Sequence, residues 1–149
     1  MEVFRIIKEK YASQLSASGV ENRWNKTGEF VIYTGASRSL STLELIVHRN
    51  AVVPEIDYRV MVISLPDDDK FYTQLLIKNL PGNWRSMSAY AKLQQTGSQW
   101  YLQQSSLILK VPSVIIPNEY NYIINTKHPD YNQVKLVRIE KYFWDDRLL

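Results

Sequence analysis

Residues 22–48, NRWNKTGEFVIYTGASRSLSTLELIVH, decide how the chain folds. Within them Glu29 to Thr34 (EFVIYT) is β-branched and aromatic, the composition of a strand, and Gly35 follows as a turn residue. Beyond the glycine, Leu40, Leu43, Ile46 and Val47 return at helical intervals through SRSLSTLELIVHRN (residues 37–50), with Ser37 or Ser39 placed to cap the first turn. A strand ending at Thr34 is therefore expected to turn directly into a helix. Helical spacing then puts Glu44 and His48 on one face, one turn apart.

Outward from this stretch, strand-like composition dominates. Val3 to Ile7 predicts a short buried strand, and a polar connection runs from Ala12 to Glu21. Tyr58 to Leu65 and Thr73 to Ile77 read as strands separated by the acidic turn Pro66 to Asp69. Ser86 to Gln95 reads as a short helix stopped by Gly97. Leu107 to Val111 and Val134 to Tyr142 are further strands, and the polar, proline-punctuated PSVIIPNEYNYIINTKHPDY (residues 112–131) reads as the connection between them. Strands outnumber helices and do not alternate with them as a doubly wound sheet requires, so the expected class is α+β, in a single domain over residues 1–149.

Composition narrows the chemistry. With 45% hydrophobic and 22% charged positions, 149 residues suffice for one domain with its own core. Eighteen basic against fifteen acidic residues give a net charge of +3, which suits small anions and acidic partners better than DNA. Cysteine is absent, which removes disulfides, thiolate nucleophiles and cysteine-bound zinc. His48 and His128 stand far apart without metal-ligand spacing, so neither a catalytic metal nor a cofactor is expected. MEVFRIIKEK at the start lacks a secretory apolar core, and no run of about 18 apolar residues could span a membrane. These features predict a cytoplasmic protein.

The five glycines (Gly19, Gly28, Gly35, Gly82 and Gly97) form neither a dinucleotide fingerprint nor a P-loop, so a bound nucleotide must be held by side chains. Arg23 suits phosphate through its planar fork of donors, or serves as an ordinary ion-pair arginine. Glu44 sits beside an apolar stripe. It is either the end of a capping box, Ser41-Thr-Leu-Glu44, or a carboxylate free to stabilise an oxocarbenium-like transition state at a ribose. Tyr33 offers a ring for stacking or fills the core, and His48 either orients Glu44 or is a core histidine. Ser113 lies where a hydroxyl can face a cleft, in a setting also common for turn serines. Trp24, Trp84, Trp100 and Trp144 are dispersed and do not interleave with basic residues as a single-strand-binding platform would.

Taken in order, these residues resemble the RES-domain family, named for its arginine, glutamate and serine, which contains toxins of bacterial toxin–antitoxin pairs. The resemblance is carried by Phe4-Arg5-Ile6, Arg23-Trp24-Asn25, Gly28, Val31 to Thr34, and the Ser39-Leu40 to Leu43-Glu44 helix with His48. It continues through Trp100, Val111-Pro112-Ser113, Pro117, Glu119, Asn121, Asn125 and His128-Pro129, and closes on Phe143, Asp145, Arg147 and Leu148. Two positions depart from the family pattern. Asn22 precedes the arginine where a glycine is common, and Thr126 follows Asn125 where a proline is common.

The resemblance implies an ADP-ribosyltransferase-like fold, with a β-rich core and flanking short helices, and an enzyme that consumes NAD as substrate by splitting the nicotinamide–ribose bond. It implies that Arg23 holds the pyrophosphate or adjacent ribose, that Tyr33 packs against the nicotinamide end, and that Glu44 stabilises the developing cation. Ser113 would shape the opposite wall, while His48 and Asn125 would support the pocket through hydrogen bonds. It further implies a cognate antitoxin with a helix-turn-helix DNA-binding part and a separate part that covers the cleft. Dimerisation of the toxin within a larger complex is left open. The alternatives are transfer of ADP-ribose to a protein and a noncatalytic basic module for RNA or a protein partner.

Overall fold

The structure is a computed structural model that describes residues 1–48 and 56–148. Arg49 and Asn50, the end of the stretch read as helical, lie outside the described residues. In chain order the main elements are β1 (Glu2–Lys8), β2 (Val31–Gly35), α1 (Arg38–His48), β3 (Tyr58–Ser64), β4 (Tyr72–Gln74), α2 (Tyr90–Gln103), β5 (Ile108–Pro112), β6 (Tyr120–Asn125) and β7 (Lys135–Lys141). The seven strands form one mixed sheet in the order β4-β5-β6-β2-β1-β3-β7, with only β4 and β5 parallel. The α+β class expected from the sequence is the class observed.

One junction in this sheet differs from the others. β1 is paired with β3 along its whole length, from Glu2↔Ser64 to Lys8↔Tyr58, but meets β2 at a single position, Phe4↔Gly35. The two strands therefore touch at one end and splay apart. In-register partners share a face, so Phe4, Gly35, Asn121 and Val111 form one row across β1, β2, β6 and β5. Phe4 packs with Leu45 of α1, whereas Val111 packs with Leu93 and Trp100 of α2. Both helices thus lie on the same face, one over each half of the split sheet. The opposite face is closed by a core of Val3, Ile32, Met61, Ile63, Ile108 and Ile124, covered by Ala12, Leu65, Phe71 and Val134.

Two glycines read as punctuation act instead as contact points. Gly35 is the last residue of β2, and a Cβ there would meet the Ser41 hydroxyl oxygen at 2.5 Å, so its bareness lets α1 settle onto the sheet. Gly97 does not stop the second helix but lies inside it. A Cβ at Gly97 would come within 1.8 Å of the Trp24 carbonyl oxygen. The helix ends instead at Gln104, whose left-handed backbone (φ 51) returns its N–H to the carbonyls of the last turn.

The structure differs most from the sequence expectation at β6. Residues 112–131 were expected to be a connection, yet Tyr120–Asn125 is an interior strand hydrogen-bonded to β5 and β2. Its two asparagines lower its strand propensity, and pairing on both edges overrides that preference. Thr73 to Ile77 is also corrected. The strand is Tyr72–Gln74, and a single 3-10 turn at Ile77–Asn79 follows.

Candidate functional site

The splay between β1 and β2 opens a cleft of about 270 Å³, walled among others by Ile6, Arg23, Tyr33, Glu44, His48 and Asn121. Its two polar corners are built in different ways. The first belongs to α1. Ser37 caps that helix, its hydroxyl oxygen accepting from the Leu40 N–H at 3.0 Å, and Ser41 is already inside it, donating to the Phe4 carbonyl at 2.9 Å. The capping-box reading of Ser41 and Glu44 is thereby removed.

Glu44 projects from α1 toward β6. Its Oε1 accepts from Ser113 Oγ and from Asn121 Nδ2, each at 2.8 Å, and its Oε2 lies 3.5 Å from His48 Nε2. Burial pushes the carboxyl up, but hydrogen bonds from His48, Asn121 and Ser113 outweigh it and hold Glu44 below the usual carboxylate range. Ser113 is fully buried, and its Oγ also accepts from the N–H groups of Ile115 and Ile116 at 3.1 and 3.2 Å. Those donors direct its proton to Glu44, which makes it an anchor for the carboxylate rather than a nucleophile. His48 is 43% exposed, so it is not a core histidine.

The second corner belongs to the loop before β2. Arg23 is only 9% exposed. Its guanidinium lies 5.3 Å from the Tyr90 ring centre, and its Nη1 donates to the Trp84 carbonyl at 3.3 Å. Its Nε has no partner among the described residues. Burial lowers the Arg23 pKa, opposed by the charges of Tyr90, Glu44 and Tyr33.

One stripe of α2 holds this loop. Tyr90 donates to Asn22 Oδ1 at 3.1 Å, and Gln94 donates to the carbonyls of Asn22 and Asn25 at 3.0 and 3.3 Å. Gly97 admits the Trp24 backbone, and Ser98 donates to the buried carboxylate of Glu29. From the other side the Tyr33 hydroxyl donates to Asn25 Oδ1 at 2.6 Å and accepts from Trp24 N at 3.1 Å. Burial drives the Tyr33 pKa far above the ordinary phenol value, against the opposing hydrogen bond from the Trp24 N–H. The hydroxyl is occupied in both directions, and what Tyr33 offers the cleft is its ring.

A family model described as RES domain matches residues 2–145. The chain belongs to the RES-domain family. This RES domain is 34% identical over 142 residues to a protein of Sphingobium sp. (strain YBL2) named Prs ADP-ribosylating toxin, covering 93% of this chain and 88% of that one. It is 33% identical over 135 residues to Toxin Res of Yersinia enterocolitica, covering 88% of each. Among solved structures, a chain in the crystal structure of the M. tuberculosis MbcT–MbcA toxin–antitoxin complex shares its fold. The two superpose with a TM-score of 0.76 at 15% identity, over 95% of this chain and 84% of the other.

Within the RES domain, Arg23, Tyr33, Glu44 and His48 come together around one cleft, and Ser113 reaches Glu44 from behind. Asn125 is not brought there. It shares a strand face with Asn121 but lies four residues on, about 13 Å along β6. Its amide donates to the Tyr101 carbonyl at 3.2 Å and its Oδ1 accepts from Lys127 N at 2.9 Å, tying the turn after β6 to the end of α2. Asn121, Asn25 and Glu29 escaped the sequence reading as site-building residues. Alternation along β6 and the helical spacing of Tyr90, Gln94, Gly97 and Ser98 were the available signals. Both departures from the family pattern are accommodated. Asn22 Oδ1 accepts from the Arg23 N–H at 2.8 Å, and Thr126 donates its hydroxyl to the Phe30 carbonyl at 2.6 Å.

Among the described residues no group of three or more histidine, aspartate or glutamate side chains could hold a metal ion, and no helix is long and apolar enough to cross a membrane. A separate hollow of about 370 Å³ is lined by Met1, Asp67, Asp69, Tyr72, Gln74, Lys110 and Tyr122. Tyr122 faces it because consecutive strand residues point to opposite sides of the sheet. It contains neither Arg23 nor Glu44.

Proposed function

We propose that the chain is the toxin of a toxin–antitoxin pair and acts by cleaving the nicotinamide–ribose bond of NAD in the cytoplasm. The observation that carries this reading is a carboxylate kept ionised by three hydrogen-bonding neighbours, in a cleft that also presents a buried guanidinium. A ligand matching both corners has an anionic group for Arg23 and a ring that becomes cationic for Glu44. The cleft lies just below the roughly 300–1,000 Å³ of common small-molecule pockets, so it suits the nicotinamide–ribose end of a dinucleotide better than the whole molecule.

Cleavage needs no covalent nucleophile in this arrangement. The C–N bond breaks with its electron pair leaving on nicotinamide, which departs neutral, and the positive charge develops on the ribose ring. Glu44, already fixed by Ser113 and Asn121, stabilises that charge without reorganising. Tyr33 supplies a flat wall for the leaving ring, and Arg23 takes the pyrophosphate or the adjacent ribose. Water, phosphate or a protein side chain then captures the ribosyl cation.

Transfer of ADP-ribose to a protein is a second reading of the same chemistry, favoured by the name of the Sphingobium relative. The MbcT–MbcA complex supports an antitoxin as partner, and the proposal extends to a helix-turn-helix part on that antitoxin. The test is incubation of the purified chain, freed of antitoxin, with NAD, with and without phosphate and a candidate protein target. ADP-ribose marks hydrolysis, its phosphate ester marks phosphorolysis, and an ADP-ribosyl mass on the protein marks transfer. Intact NAD in every arm contradicts the reading, and RNA affinity that falls steeply with salt would then favour a noncatalytic module.

A further inference from the structure

We propose that Asn121 is a positioning residue for Glu44, its side-chain Nδ2 holding the carboxylate Oε1 in the cleft while its own Oδ1 is buried with no partner among the described residues. The inference rests on the reading of Glu44 as the group that stabilises the ribosyl cation. A carboxylate oxygen only accepts, so the atom that Asn121 sets 2.8 Å from Oε1 must be the amide nitrogen. That choice turns Oδ1 the other way, where it is buried and has no partner among the described residues. Protein interiors rarely keep an acceptor in that state, since burying it unpaired is costly. The contact with Glu44 is what the amide gains in return.

A purely structural role for this side chain is poorly supported. The backbone of Asn121 is already paired with Gly35 of β2 and Val111 of β5, so the strand does not need the amide to hold its place. Ser113 differs. Its hydroxyl is satisfied by Glu44 on one side and by two backbone N–H groups on the other, so it anchors a turn as well as the carboxylate. Asn121 is thus the one of Glu44's two neutral donors whose side chain has no other bond among the described residues. Its loss should reach Glu44 more selectively than the loss of Ser113.

Asn121→Leu, branched at the same carbon though bulkier, removes both the donor and the orphaned acceptor, and Asn121→Asp keeps the shape but places a second carboxylate against Glu44. The expected result for Asn121→Leu is a Tm at or above that of the parent and an unchanged KM for NAD. Its kcat for nicotinamide release should fall at least about tenfold, with the acid limb of the pH profile moved to higher pH. Asn121→Asp should move that limb further, because two adjacent carboxylates resist ionising together. Titration of the Glu44 carboxyl by carbon-13 NMR reads the same shift without turnover. The proposal is overturned if both variants keep the parent's Glu44 titration, or if kcat falls only alongside a lower Tm with the acid limb in place. A parent protein that leaves NAD intact refutes the proposed function instead, and the NMR titration still decides the role of Asn121.

Discussion

The two corners of the cleft make an instructive pair. Glu44 and His48 are neighbours on one helix, and the α1 side of their corner follows from local rules: a serine cap, an i,i+4 spacing and an apolar stripe. Arg23 sits on an irregular loop whose geometry is set from a distance, by Tyr90, Gln94, Gly97 and Ser98 on α2 and by Tyr33 on β2. A helix can present a catalytic group at little cost in long-range order. A loop can present one rigidly only when another element is dedicated to holding it, and here nearly a whole stripe of α2 does so.

That contrast predicts different kinetic signatures. The largest effect is expected for Glu44→Gln, which keeps the shape of the side chain but removes the charge proposed to meet the ribosyl cation. Nicotinamide release should fall about 10²–10³-fold in kcat with KM for NAD little changed. Arg23→Ala should instead act mainly through KM. Steady-state kinetics with NAD separate the two, and a KM defect confined to the Glu44 variant would reverse the assignment.

Next in size are the two contact glycines. Gly97→Ala puts a methyl group against the Trp24 backbone, which cannot rotate away, and should destabilise the protein by about 1–3 kcal/mol and raise KM. Gly35→Ala meets chiefly the Ser41 hydroxyl, a side-chain end with more room to yield, so its stability loss should be smaller and its kinetic defect should appear in kcat. Thermal melts and kinetics on both variants check the ordering.

Ser113→Ala tests the electrostatics of the α1 corner together with the turn that its hydroxyl anchors. Glu44 is held below its ordinary range, so its contribution to stability is present above the unfolded-state pKa and is lost as pH falls through the lower folded value. Removing one donor raises the folded value and moves the acid limb of activity toward higher pH, with the alkaline limb unmoved. The smallest effect is expected at Arg38, whose exposed guanidinium pairs with Glu140 at 2.9 Å and does not line the cleft. Arg38→Ala should cost at most about 1 kcal/mol and leave turnover unchanged, as denaturant titration and a single assay would establish.

The same contrast explains what could be read from the chain. The α1 corner is legible because its signals lie close together in the chain: the strand before Gly35, the cap at Ser37, and Glu44 one turn before His48. Asn121 is not, because its importance depends on β6 being interior, and pairing on both edges is invisible in a stretch that reads as asparagine and proline. Gly97 reads as a helix stop because a glycine that ends a helix and one that admits a backbone look alike until the opposing residue, Trp24, is placed. Asn125 was assigned to the pocket by resemblance alone, and distance along the strand carries it elsewhere. Local periodicity revealed the elements, while the contacts between them were set by register and close approach.

The central claim is that Arg23 and Glu44, from separately built corners, grip one dinucleotide. Isothermal calorimetry of NAD on Glu44→Gln, where turnover is blocked, measures that grip directly. The account predicts that Glu44→Gln binds intact NAD and that adding Arg23→Ala weakens this binding at least about tenfold. Equal affinity in the single and double variants would contradict it.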